Sequence, residues 1–242
     1  YPPQWYQALL RWSLPKLDHI VCISRATARE AEQRGVMKFS VIPCGVAHVP
    51  SRTMRCEQRS HGHPPVLLTI ARLVPRKGVP WFCKEVLPLV LMDFTSLTYL
   101  IIGSGPEEKL IKKIVQERGL SARVRLLGNV SEEEKEEWLK RADLLVVPNI
   151  PCPGDMEGFG IVCIEASARG VPVVASRLEG LEDAVIDEET GAFFQPCNAD
   201  ACRMAIRSML RAPLDPHGVS TMTMDRYNVQ KILPLYRRVL CA

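Results

Sequence analysis

From Pro65 onward, apolar positions alternate between short β-branched runs and longer amphipathic stretches, which predicts repeated βα units around a parallel sheet. The strands are expected at Val66–Ile70, Thr98–Ile102, Val124–Leu127, Leu144–Val147 and Val171–Ala175, with a shorter one at Ala192–Phe194. Most are continuous apolar runs, as expected of strands covered by helices on both faces. Pro106-Glu107-Glu108 places a proline and two acids in a first helical turn, and Gly119 closes the helix that follows. Ser131-Glu132-Glu133-Glu134 is a capping box opening a helix to about Arg141, whose acidic run reads as a solvated face. Upstream come an amphipathic stretch from Trp5 to Leu17 and a strand at His19–Ile23. A helix then starts near Ser24 or at the capping box Thr27-Ala28-Arg29-Glu30. Residues 47–64, carrying Arg52, Arg55 and Arg59, read as a polar loop, and a final amphipathic helix is expected from about Asp225 to Leu240. No internal repeat is visible. The fold class is therefore α/β, a Rossmann-like parallel sheet with helices on both faces.

Composition narrows the function only slightly. With 242 residues, 47% hydrophobic and 24% charged, the chain is long enough to bury a sizeable core, and collagen, extended disorder and coiled coil are excluded. A net charge of +4 is too small to argue for nucleic acid. The longest apolar stretch, Trp81 to Phe94, contains Lys84, Glu85 and Asp93 and falls short of the ~20 residues a membrane span needs. The nine cysteines are odd in number and never spaced as C-x-x-C, so a reducing cytoplasm is expected. The chain opens at Tyr1 with neither Met nor a signal-peptide pattern, and we expect it to be a fragment.

Chemistry concentrates in three loops that follow strands. Glu157-Gly158-Phe159-Gly160 leads into an apolar-periodic helix ending at Gly170, so backbone amides near Gly158 to Ile161 would face outward at a helix N-terminus. Glu157 precedes that helix and Glu165 lies within it. Eight residues span about 12 Å if helical, whereas hydrolytic carboxylate pairs sit roughly 5 to 9.5 Å apart. Two contacts on one elongated ligand suit this spacing better, because carboxylates accept hydrogen bonds from vicinal diols. Glu165 sits between Ile164 and Ala166, where an unpaired buried acid would be costly. The second loop, Ala71 to Gly78, brings Arg72 and Lys77 to the carboxyl end of a strand, where a diphosphate is their natural partner. Arg76 reads as a solvated charge. The third, Gly103-Ser104-Gly105-Pro106, is a tight turn lining the same cleft, and Glu108 stands where a dinucleotide fingerprint needs a third glycine. Cys56, His61 and His63 lack a fourth ligand at zinc-like spacing and read as solvated loop. Cys163 reads as a buried structural thiol.

The set Val41-Ile42-Pro43-Cys44-Gly45-Val46, Ala71-Arg72-Leu73 with Lys77-Gly78, Gly103-Ser104-Gly105-Pro106, Leu127-Gly128, Ala142-Asp143 to Pro148, and the E-x7-E block Glu157 to Glu165 resembles the C-terminal half of retaining glycosyltransferases of family four. The resemblance runs in order from about residue 18 to 240. It implies one half of a GT-B architecture, in which two Rossmann-like domains face each other and the C-terminal one binds a UDP- or GDP-sugar. It implies that Arg72 and Lys77 neutralise the donor diphosphate and that Glu165 holds the ribose. Glu157 with Gly158, Phe159 and Gly160 would hold the transferred sugar. Gly103 and Gly105 would line the donor site, with Gly128, Asn129 and Pro148 near the base. No cofactor or catalytic metal is implied.

The resemblance also marks what is missing. Residues 1–17 look like the exit from an N-terminal acceptor domain, and residues 18–242 like the donor-binding domain with its return helix at 225–240. Cys44 and Ala47 stand where the family commonly has Asn and Asp, and Ala71 where it commonly has Gly. The helix bearing Trp5, Leu9, Leu10 and Trp12, next to Arg11 and Lys16, is expected to pack on the missing domain in preference to a membrane surface; peripheral membrane contact is the alternative. Rival readings are a non-catalytic nucleotide-sugar-binding module and a related GT-B epimerase or phosphorylase.

Overall fold

The computed structural model describes residues 4–47 and 63–241. Cys56, His61 and the three arginines of the expected loop lie outside them. Strands β1 (Ile20–Cys22) and β2 (Phe39–Val41) form a small parallel sheet of their own. The main sheet holds β3 (Val66–Ile70), β4 (Thr98–Ile102), β5 (Val124–Gly128), β6 (Leu144–Val147), β7 (Val173–Ser176) and β8 (Gly191–Phe194). All are parallel, in the spatial order β5-β4-β3-β6-β7-β8. The first strand of this sheet thus lies at its centre, and the chain reverses its winding between β3 and β6. Ligands of open α/β sheets bind at that reversal, outside the carboxyl ends of the strands.

Strand residues divide between two cores, one on each face. Leu67, Tyr99, Ile101, Leu144, Val146 and Val174 pack on one side with Phe82, Val86, Leu87, Ile111 and Ile206. Leu68, Leu100, Leu145, Val147, Val173 and Ala175 pack on the other with Leu139, Phe159, Cys163, Ile164 and Tyr227. Alternation by two along each strand, with both faces apolar, is why these segments read as continuous hydrophobic runs. One polar chain crosses the core: the Tyr99 hydroxyl donates to Thr69 Oγ1 at 2.8 Å, which donates to the Val146 carbonyl at 2.6 Å. Burial pushes the Tyr99 phenol well above its ordinary range.

Local boundaries differ from expectation in instructive places. Val171 does not begin a strand; its amide donates to the Ala166 carbonyl and, with Gly170 at φ +78°, closes the preceding helix. Ser24 caps the early helix Arg25–Gln33, in a capping box completed by Thr27. The expected single helix over 225–240 is two, Pro216–Tyr227 and Val229–Leu240, broken at Asn228. The break accommodates Val46, whose amide donates to Tyr227 O and whose carbonyl accepts from Val229 N. Strand β2 was not expected; with β1 it borders a separate small cluster of Cys22, Ala28, Ala31 and Val36. Among the described residues no helix is long and apolar enough to cross a membrane.

Candidate functional site

The loops after β3 and β6 meet at the sheet reversal. The Ile150 amide donates to the Arg76 carbonyl at 2.9 Å, and Gly78, at φ +63°, lies so close to the Pro148 carbonyl that a Cβ there would collide with it. Glu157 sits on this junction, only 8% exposed. Its Oε2 accepts from Lys77 Nζ, from Arg76 Nη1 at 2.5 Å and from Asn149 Nδ2 at 2.8 Å. Arg76 Nε lies 3.0 Å from Asp155 Oδ1 but out of line for a hydrogen bond, so that contact is purely one of charge. Burial alone would push the Glu157 carboxyl up. The charge and hydrogen bond of Lys77, the charge of Arg76 and the bond from Asn149 outweigh it and hold the group below its ordinary value.

The start of the same β3 loop, at Arg72, lines a cavity of about 410 Å³ together with Ile70, Gly103, Ser104, Asn129 and Lys135 among others. Leu73 N donates to Ser104 O, and Gly103 N to Gly128 O, so the turns after β3, β4 and β5 are stitched together. Gly103 adopts φ +122° with its missing Cβ directed at the Ala71 carbonyl, and Gly105 is held likewise against Leu73. Lys135 Nζ pairs with Glu132 at 2.6 Å and lies 3.8 Å from Glu165 Oε2. The cavity lining therefore holds two cations, Arg72 and Lys135, and one carboxylate, Glu132, with Glu165 reaching Lys135 from the next helix.

The glycine-rich turn after Glu157 is held from behind. Gly160, at φ +86°, is the N-cap of the seven-residue helix Ile161–Ser167. Phe159 is buried against Tyr227 with ring centroids 5.9 Å apart. Gly180 approaches the Gly158 carbonyl too closely to carry a side chain, and its amide donates to Glu157 O at 3.0 Å. The Glu157 amide donates to Glu179 Oε2 at 2.5 Å. Cys163 is fully buried and its thiol is pushed up to about 12, as suits a structural role.

The structure gathers the expected residues into two groups, linked by the loop after β3. Arg72, Gly103 and Asn129 line the cavity, and Glu165 borders it through Lys135. Lys77, Glu157 and Pro148 belong to the knot, Pro148 beneath Gly78. Gly128 supplies the carbonyl that anchors Gly103. Three readings need correction. Arg76 is not solvated but 9% exposed and ion-paired, because Asp155 and Glu157 arrive from the next loop. Glu165 is not buried: its side chain is 32% exposed, so no desolvation penalty forces a partner on it. The acidic helix is not merely solvated, since Glu132 lines the cavity and Glu136 pairs with Arg169. Asn149, Glu179 and Lys135 were missed. Asn149 directly after the β6 segment was the only one with a positional signal. Among the described residues no group of three or more His, Cys, Asp or Glu side chains is placed to hold a metal ion.

Comparison with known proteins places this geometry. The family model "Glycosyl transferases group 1" matches residues 51–221. The GDP-mannose-dependent alpha-(1-6)-phosphatidylinositol monomannoside mannosyltransferase of Mycolicibacterium smegmatis is 32% identical over 165 residues, 67% of this chain and 43% of that protein. The glycogen synthase of Mycobacterium tuberculosis is 30% identical over 85% of this chain and 49% of its own length. The chain thus spans about half the length of the curated relatives it matches. Among solved structures, the sucrose-phosphate synthase of Thermosynechococcus elongatus superposes with a TM-score of 0.77 at 24% identity, covering 100% of this chain and 64% of that one. Anabaena HepE, solved with UDP and glucose, superposes at 0.77 and 20% identity, covering 97% of this chain and 67% of that one. On the family model and the sequence relatives together, this chain belongs to the group 1 glycosyl transferases.

Proposed function

We propose that this chain is the donor-binding half of a glycosyltransferase that takes a UDP- or GDP-sugar and passes the sugar to an acceptor with retention of anomeric configuration. One observation carries the reading: the loop after β3 bears both Arg72, on the wall of a cavity whose Lys135 lies 3.8 Å from Glu165, and Lys77, which pairs with Glu157. A nucleoside diphosphate has complementary parts. In this reading Arg72 and Lys77 neutralise the diphosphate, and Glu165 accepts hydrogen bonds from the ribose hydroxyls. Gly103 and Asn129 on the cavity wall, with Gly128 bonded behind Gly103, lie beside the nucleoside in this reading. Glu157 and the Gly158-Phe159-Gly160 turn take the transferred sugar.

Transfer breaks the bond between the sugar C1 and the diphosphate, whose oxygen leaves with the electron pair. Cations fixed where that charge develops lower the barrier without reorganising. The reading gives this task to Arg72 and Lys77 and requires no metal ion. Lys77 is held in place by its pair with Glu157, so an arriving diphosphate shares a cation already positioned. The acceptor site belongs to a preceding domain, which the half-length match to the relatives supports. The exposed Trp5, Leu9 and Trp12 then meet that domain; a peripheral membrane contact is the second use of this face. Titration calorimetry with UDP-glucose and GDP-mannose, in buffer containing EDTA, tests the reading. Micromolar to millimolar binding of one donor is expected, and absence of binding by both would overturn it.

A further inference from the structure

We infer that Glu179 is a positioning residue for Glu157, retained at a cost to the backbone so that its carboxylate fixes the peptide from which Glu157 projects. This deepens the reading of Glu157 as the carboxylate at the sugar end of the site and rests on it.

Among the described residues, three other than glycine adopt a left-handed φ: Glu179 at 51°, Glu188 at 65° and Cys197 at 59°. Such a backbone is disfavoured for any side chain with a Cβ, and where it persists the surrounding structure imposes it. Glu188 and Cys197 lie in exposed turns. Glu179 is different: half-buried, it points back into the knot, and its Oε2 accepts the Glu157 amide. The next residue completes the grip. Gly180 N donates to the Glu157 carbonyl, and its bare Cα is pressed on Gly158. Residues 179 and 180 thus hold both polar groups of Glu157's backbone, while Lys77, Arg76 and Asn149 hold its carboxylate. Glycine at 179 would relieve the backbone without disturbing Gly180. The carboxylate is the one thing glycine cannot supply. Its surroundings make it a poor choice for stability alone, because burial and the charge of Glu157 disfavour its carboxylate by more than the Glu157 amide and the charge of Arg76 favour it.

The test compares Glu179→Gly and Glu179→Gln with the wild-type chain. Three readouts are the melting temperature, the affinities for UDP, UDP-glucose, GDP and GDP-mannose, and hydrogen exchange at the Glu157 amide. Glu179→Gly is expected to melt at or above the wild-type temperature and to bind UDP and GDP within about twofold of wild type. The extra affinity that the sugar confers on the preferred donor should fall roughly tenfold, and the Glu157 amide should exchange at least tenfold faster. Glu179→Gln keeps an oxygen acceptor and should restore both. The inference is overturned if Glu179→Gly leaves exchange and the sugar's contribution unchanged. It is equally overturned if melting falls and all four compounds weaken together, or if Glu179→Gln fails like Glu179→Gly. Should the wild-type chain bind none of the four, the donor reading fails, and the exchange rate alone still decides what Glu179 does to Glu157.

Discussion

Lys77 and Glu157, 80 residues apart in the chain, meet in a direct ion pair at the sheet reversal, each with about a tenth of its side chain exposed (11% and 10%). Arg76 shares the same carboxylate oxygen. A buried pair is weak evidence of net stabilisation, but removing one partner leaves the other charge stranded. Glu157→Gln should therefore lower unfolding free energy by about 3 kcal/mol, read by urea denaturation. A change within the scatter of surface substitutions would show that Asp155 alone satisfies both cations.

The same pair sets a pH dependence. The Glu157 carboxyl is held below its ordinary value, so the folded state binds this proton less readily than the unfolded chain. Its contribution is present above the unfolded carboxylate value, about 4.3, and is lost as pH falls through the lower folded value. The stability gap between wild type and Glu157→Gln should accordingly narrow below about pH 4. Glu179 has the opposite sign. Burial, joined by the charge of Glu157, raises it against the hydrogen bond from the Glu157 amide. Its contribution is present below the unfolded value and is lost as pH rises through the folded one, so Glu179→Gln should gain on wild type as pH rises toward neutrality. Denaturation curves at several pH values check both signs.

The glycines of the stitched turns are not equivalent. A Cβ at Gly103 meets the Ala71 carbonyl, whereas at Gly128, φ +69°, nothing lies within 4 Å. Gly128→Ala bears only the left-handed backbone penalty, about 1 kcal/mol. Gly103→Ala must also displace the β3 turn, and should cost at least 2 kcal/mol and weaken nucleotide binding. Equal melting temperatures for the two variants would contradict the close packing of the stitched turns.

Burial decided what could be read in advance. Strands β3, β4 and β6 were legible to the residue because both their faces are apolar, and the cap at Ser131 because its partner is three residues away. Contacts made across the fold left no such trace. Arg76 looks like any loop arginine until Glu157 arrives, and Lys135 was hidden within an acidic run whose partners, Glu132 and Glu165, lie on different helices. Asn228 breaks an otherwise amphipathic helix because Val46 bonds across the break. The motif residues were visible, but their division between an ion-paired knot and an open cavity was not.

Ligand-dependent melting of the unmodified chain addresses the donor site most directly. Millimolar UDP or GDP should raise the melting temperature in proportion to RT ln(1 + [L]/Kd), worth about 2.7 kcal/mol at a hundredfold excess over Kd, and Arg72→Ala or Glu165→Ala should diminish the rise. If neither nucleotide shifts the transition and both variants melt like wild type in their presence, the cavity beside Arg72 and Glu165 does not hold a nucleoside diphosphate.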